Sequence, residues 1–110
     1  MPFGVDHSQA GDDTFLHVRG ELDIATRDLV TLAVRDALQD RPAVLYVDLT
    51  ETRFCDSAGA RSLVAATRLA EEHGTDFFLL CPPTNNAVRR VLDLLQLERV
   101  VDTVDTAPRS

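Results

Sequence analysis

"AVLYVDLTETRFCDSAGARSLVAAT", residues Ala43 to Thr67, decides the fold because it joins two different periodicities. Its first part, Ala43-Val44-Leu45-Tyr46-Val47, is a continuous apolar run closed by Asp48-Leu49, as expected of a strand buried on both faces or nearly so. Its last part opens a helix that reads from about Ser57 to Glu72, with Leu63, Ala66 and Ala70 on one face and Arg61, Arg68 and Glu72 on another. Gly74 follows as a natural C-cap. A buried strand leading into an amphipathic helix is the first half of a parallel crossover.

The rest of the chain repeats that unit. Asp76 to Cys81 is a second apolar run, closed by Pro82-Pro83. Upstream, Thr14 to Arg19 alternates roughly with period two after a Gly-Asp-Asp turn, and Phe3 to His7 can pair with it as a hairpin; Gly20 is expected to end that strand. Ala25 to Gln39 reads as a helix with Thr26 as N-cap and Asp28 in its first turn. Leu29, Leu32, Ala33 and Ala37 form its stripe, widened by Val30, Val34 and Leu38, and Pro42 stops it. A third helix places Val88, Val91, Leu92 and Leu95 opposite Arg89, Arg90, Asp93 and Gln96, with Thr84 or Asn85 to cap it. Arg99 to Val104 is a last short strand, and the polar tail 105–110 is expected to fray. The order β-β-α-β-α-β-α-β predicts one α/β domain over residues 1–110, core about 5–104, with helices packed against a mixed sheet of mainly parallel crossovers.

With 110 residues and 45% hydrophobic content, the chain has room for one compact core. No apolar run approaches the roughly 20 residues that span a bilayer. The N-terminal MPFGVDHSQAGDD lacks a basic segment followed by an apolar stretch, so a cytoplasmic protein with no membrane partner is expected. The net charge of −7 argues against nucleic acid, whose binders draw affinity from Lys and Arg that release counterions. All eleven basic residues are Arg, which excludes Schiff-base chemistry, a Walker-type phosphate loop and a lysine general base. Cys55 and Cys81 show no CxxC spacing and read as small core hydrophobes. His7, His17 and His73 have no metal-ligand spacing and are assigned to the surface or sheet edges; no cofactor is implied.

In parallel α/β sheets, function gathers at the carboxyl ends of strands. That rule selects Glu21 and Asp23 after the second strand, Asp48 at the end of the third, and Asp56-Ser57 opening the second helix. Asp-Ser before a helix is first of all an N-cap. Equally, the unbonded N–H groups and positive dipole end of a helix start welcome an anion, so a phosphate on Ser57 would be tolerated there.

These residues resemble the STAS-domain anti-sigma factor antagonists of bacterial partner-switching systems. Gly20-Glu21-Leu22-Asp23, then Val47-Asp48-Leu49 with Phe54-Cys55-Asp56-Ser57-Ala58-Gly59, then Val88-Arg89-Arg90-Val91-Leu92 with Leu97 carry the resemblance, which runs from about Val5 to Val104. It implies a switch protein rather than an enzyme. The unphosphorylated form would bind an anti-sigma factor that is itself a Ser/Thr kinase, and so free the sigma factor. The kinase would phosphorylate Ser57, releasing the complex, and a Ser/Thr phosphatase would reverse it. Asp56, Ala58 and Gly59 would shape the phosphosite loop, and Glu21, Asp23 and Arg61 would belong to the docking surface. The chain has Ala58 where the family usually has a second Ser, and Ala60-Arg61 where Leu-Gly is common. Its tail is also short and polar where many members have a further C-terminal helix.

Three other readings are weighed against this one. A STAS module of another regulatory or transport complex would keep the fold and change the partner. A serine hydrolase at Ser57 would want a G-x-S-x-G elbow and a histidine in reach, but position 55 is Cys and no histidine falls at an obvious strand end. A two-component receiver would use Asp48, but the acidic pair it needs after the first strand is unconvincing and the lysine is absent, so Asp48 reads as a turn-former.

Overall fold

The computed structural model describes residues 2–96 and the backbone of the short strand at 103–104. Strands β1 (Gly4–Ala10) and β2 (Asp13–Leu22) form an antiparallel hairpin around the Gly11-Asp12 turn. Helix α1 (Arg27–Gln39), strand β3 (Val44–Asp48), strand β4 (Thr52–Cys55), helix α2 (Ser57–Glu72), strand β5 (Asp76–Leu80), helix α3 (Asn86–Leu94) and strand β6 (Thr103–Val104) follow. The sheet runs β1-β2-β3-β5-β6, parallel from β2 onward, while β4 pairs with the end of β2. The order of strands and helices matches the sequence reading, with β4 added. Arg99 to Asp102, Leu97 and the tail 105–110 lie outside the described residues.

Alternation in β2 sends Leu16, Val18 and Leu22 into the core, where they meet Val30, Val34, Ala37 and Leu38 of α1 and Ala60, Leu63, Ala66 and Ala70 of α2. Leu45, Val47, Phe77 and Leu79 complete the central strands, and Val88 and Leu92 anchor α3. Cys55 and Cys81 are both buried members of this core. Asn85 caps α3 and also donates from its amide to the carbonyls of Leu49 and Thr52, 2.8 Å each, which ties α3 to the β3–β4 connection.

Three local expectations change. Helix α1 starts at Arg27, because the turn before it is held by Asp23 and Thr26; Thr26 sits at the cap position without a side-chain capping bond. Its buried stripe is Val30-Val34-Ala37-Leu38, while Leu29 and Leu32 are exposed; both stripes satisfy a helical period, and only packing chooses between them. Finally, β2 does not end at Gly20. That residue takes φ +94°, the register shifts by a bulge between Gly20 and Glu21, and the strand continues to pair with β4.

Candidate functional site

Strand β4 and helix α2 place Ser57. Cys55 lies opposite Leu22, and the Asp56 N–H donates to the Leu22 carbonyl at 3.1 Å. Asp56 is extended and caps α2: its Oδ1 accepts the Gly59 N–H at 2.7 Å, and its carbonyl accepts the Ala60 N–H at 2.9 Å. Ser57 therefore occupies the first helical position and is exposed, and among the described residues its hydroxyl has no hydrogen-bond partner. Ala58 is half-buried behind it. Gly59 is buried where the helix touches β2: a Cβ there would stand 2.4 Å from the Leu22 carbonyl oxygen. The cap and the glycine together press the first turn of α2 against the end of β2.

The end of β2 supplies the surroundings. Glu21 is exposed and opposite Phe54 of β4. Asp23 is half-buried and structural in part, since its Oδ1 accepts N–H bonds from Ala25 at 2.9 Å and Thr26 at 3.1 Å. The Thr26 hydroxyl donates to the Glu21 carbonyl at 2.8 Å and accepts the Asp23 N–H at 3.0 Å, closing a tight 21–26 turn. On this turn Ile24 is 68% exposed, and Phe54 is 48% exposed. Sequence reasoning gave neither a role; for Ile24 the available signal was an apolar residue inside an otherwise polar turn, where nothing can bury it, while Phe54 lies in β4 and carried no such signal. Arg61 is exposed four residues after Ser57, on the same helix face.

The structure thus brings Glu21, Asp23, Asp56, Ser57 and Arg61 to one end of β2 and β4, and leaves Asp48 apart. Asp48 pairs with His17, five residues before Leu22 along β2, about 16 Å at strand rise. It is a turn-former as read: its Oδ1 accepts the Thr50 N–H at 2.9 Å. Cys55 cannot serve as a nucleophile, because burial first, then Asp56 and Cys81, push its thiol up to about 12. Among the described residues no cluster of three metal-ligating side chains forms, and no helix is long and apolar enough to cross a membrane. The end of β2 therefore offers an exposed hydroxyl at a helix start, at the same end of the sheet as two exposed apolar and several charged residues.

Comparison with known proteins bears on the family and the fold. The family model described as the STAS domain matches residues 5–108. An anti-sigma factor antagonist from Mycobacterium paratuberculosis is similar in structure at TM-score 0.85 and 23% identity, covering 96% of this chain and 87% of that one. The Thermotoga maritima protein TM1081 is 27% identical at TM-score 0.80, covering 93% and 86%. The antagonist SpoIIAA in its unphosphorylated form is 18% identical at TM-score 0.71, covering 94% and 88%. No curated protein matches the chain by sequence.

Proposed function

The chain belongs to the STAS domain family, and on that premise we propose that it is an anti-sigma factor antagonist working in a cytoplasmic partner switch. The observation that carries the reading is Ser57: exposed, without a hydrogen-bond partner among the described residues, at the first position of α2 beside Ile24 and Phe54. In the unmodified state the docking surface is Glu21, Asp23, Ile24, Phe54, Ser57 and Arg61. Apolar anchors ringed by charge are what a specific interface uses. The partner is an anti-sigma factor with Ser/Thr kinase activity. It transfers the γ-phosphoryl group of ATP to Ser57 Oγ, the serine proton passes to the kinase's base, and ADP leaves. A phosphatase returns the hydroxyl by hydrolysis. Within the switch the antagonist supplies binding, with the phosphoryl-transfer catalysis on its partners.

Release follows from electrostatics rather than unfolding. At a helix N-terminus a phosphate is locally welcome. In the complex the dianion is desolvated and crowds Asp56 and any carboxylates across the interface. A loss of about 1.4 kcal/mol already weakens binding tenfold. The reading is tested by capturing the unphosphorylated chain's partners from its own cells, then adding ATP. The expected partner is a kinase that holds wild type and Ser57→Ala alike and is released by ATP from wild type alone. Release of both, or capture of a transport or sensor complex, contradicts it.

A further inference from the structure

The face of the sheet turned away from α1 and α2 carries a second constellation, built from three strands and independent of the STAS reading. Ser8 of β1 places its Oγ 2.9 Å from His17 Nε2 of β2, and His17 Nδ1 lies 2.8 Å from Asp48 Oδ2 of β3. The two strand registers make this possible: His17 is level with Asp48, and Ser8 reaches it across a diagonal from the residue opposite Phe15. Each ring nitrogen has one partner, and their chemistry fixes the tautomer. An ionised carboxylate only accepts, so Nδ1 carries the proton and Nε2 turns its lone pair to the serine hydroxyl. Asp48 is kept ionised: burial pushes its carboxyl up, but the bonds from Thr50 and His17 outweigh that and hold it below its ordinary value. The imidazole plane is fixed as well, stacked 6.1 Å from Phe15, which stacks on Tyr46 at 4.7 Å.

Nucleophile, base and orienting acid in this mutual geometry are recognised by their roles, whatever their order in the chain. We propose that Ser8, His17 and Asp48 form an acyl-transfer site that hydrolyses uncharged carboxylic esters. A cavity of about 240 Å³ adjoins the imidazole, lined by Asp6, His17, Val18, Asp48, Thr50 and Glu51; Ser8 is not part of its lining and is open to solvent. Of the three carboxylates around the cavity, Asp6 is paired with Arg19 at 2.7 Å and Asp48 with His17 at 2.8 Å, which leaves Glu51 to disfavour anionic substrates.

In the first step Ser8 Oγ bonds to the ester carbonyl carbon and its proton passes to His17 Nε2. The C–O bond to the alcohol then breaks as the alkoxide takes that proton, leaving acyl-Ser8. Water attacks the acyl carbon, gives a proton to Nε2, and the serine regains it as the carboxylic acid departs. Ser8 lies exposed on an open sheet face that does not enclose an oxyanion, so turnover is slow and acyl-Ser8 is the species to detect.

The test incubates the full chain with p-nitrophenyl acetate, follows p-nitrophenol, and maps the acetyl group by peptide mass spectrometry. The expected result is acetyl on Ser8 and release at least tenfold faster than from Ser8→Ala or His17→Gln. Ser8 is exposed, so its variant keeps the fold. Asp48→Asn presents an amide N–H to Nδ1 and moves the ring proton to Nε2; the pH–rate profile of acylation then shifts while the far-UV spectrum does not. Release from Ser8→Ala equal to wild type, or acetyl on other residues only, overturns the proposal.

Discussion

Replacing Gly59 with alanine tests whether the site is held by contact between α2 and β2. The added Cβ would stand 2.4 Å from the Leu22 carbonyl oxygen, 2.8 Å from Leu22 Cγ and 2.9 Å from Leu22 C. Two of the three are backbone atoms that cannot swing away, so the helix start must retreat by roughly 1 Å to reach ordinary contact. Overpacking of this kind costs about 1–3 kcal/mol. Alanine's better helix propensity returns at most about 1 kcal/mol. Retreat would also stretch the Asp56 N–H bond to Leu22, so the net loss is expected near 2 kcal/mol. Urea unfolding at a slope of about 1–2 kcal/mol/M should then show a midpoint lower by about 1–2 M with the slope unchanged. A Gly59→Ala protein as stable as wild type, or more stable, would refute the close approach and with it the placement of Ser57.

The remaining expectations address other joints of the structure. Asn85→Ala removes two bonds to backbone carbonyls and the α3 cap, and should cost about 2–3 kcal/mol in the same assay. The Asp48 carboxyl is lowered on folding from 3.8, so its contribution is complete above about pH 4 and is lost as pH falls through the lower folded value. Urea midpoints across acid pH should therefore fall more for wild type than for Asp48→Asn. Phosphorylation of Ser57 should shift the thermal midpoint by no more than about 3 °C, since a surface change at a helix start is worth about 0.5 kcal/mol. Arg61→Ala should lower the midpoint of the phosphorylated form and leave the unmodified form unchanged, which calorimetry reads directly.

Much of this architecture is legible in the sequence where one physical signal acts alone. The apolar runs at Val44–Val47 and Phe77–Leu80, the Asp56 cap and the Val88–Leu92 stripe have only one good solution each. Strand β4 is not legible, because four residues with buried ends and exposed middle carry neither period, and its existence depends on the Gly20 bulge in another strand. The choice between the Leu29-Leu32 and Val30-Val34 stripes of α1 likewise depends on what the sheet presents, not on the helix. At the site, the Asp56 cap can be found from local spacing and Ser57 stands out through the family resemblance, whereas Ile24, Phe54 and the Ser8–His17–Asp48 array arise only when separate segments align. Pairing register is a long-range property.

The central claim is that Ser57 is the phosphorylated residue of a switch. Its most direct test is phosphopeptide mapping of the protein taken from its own cells across growth and stress conditions, beside a Ser57→Ala strain. The account predicts one phosphate, on Ser57, in at least one condition and absent from the variant. Phosphate on another residue, or none under any condition, would contradict it.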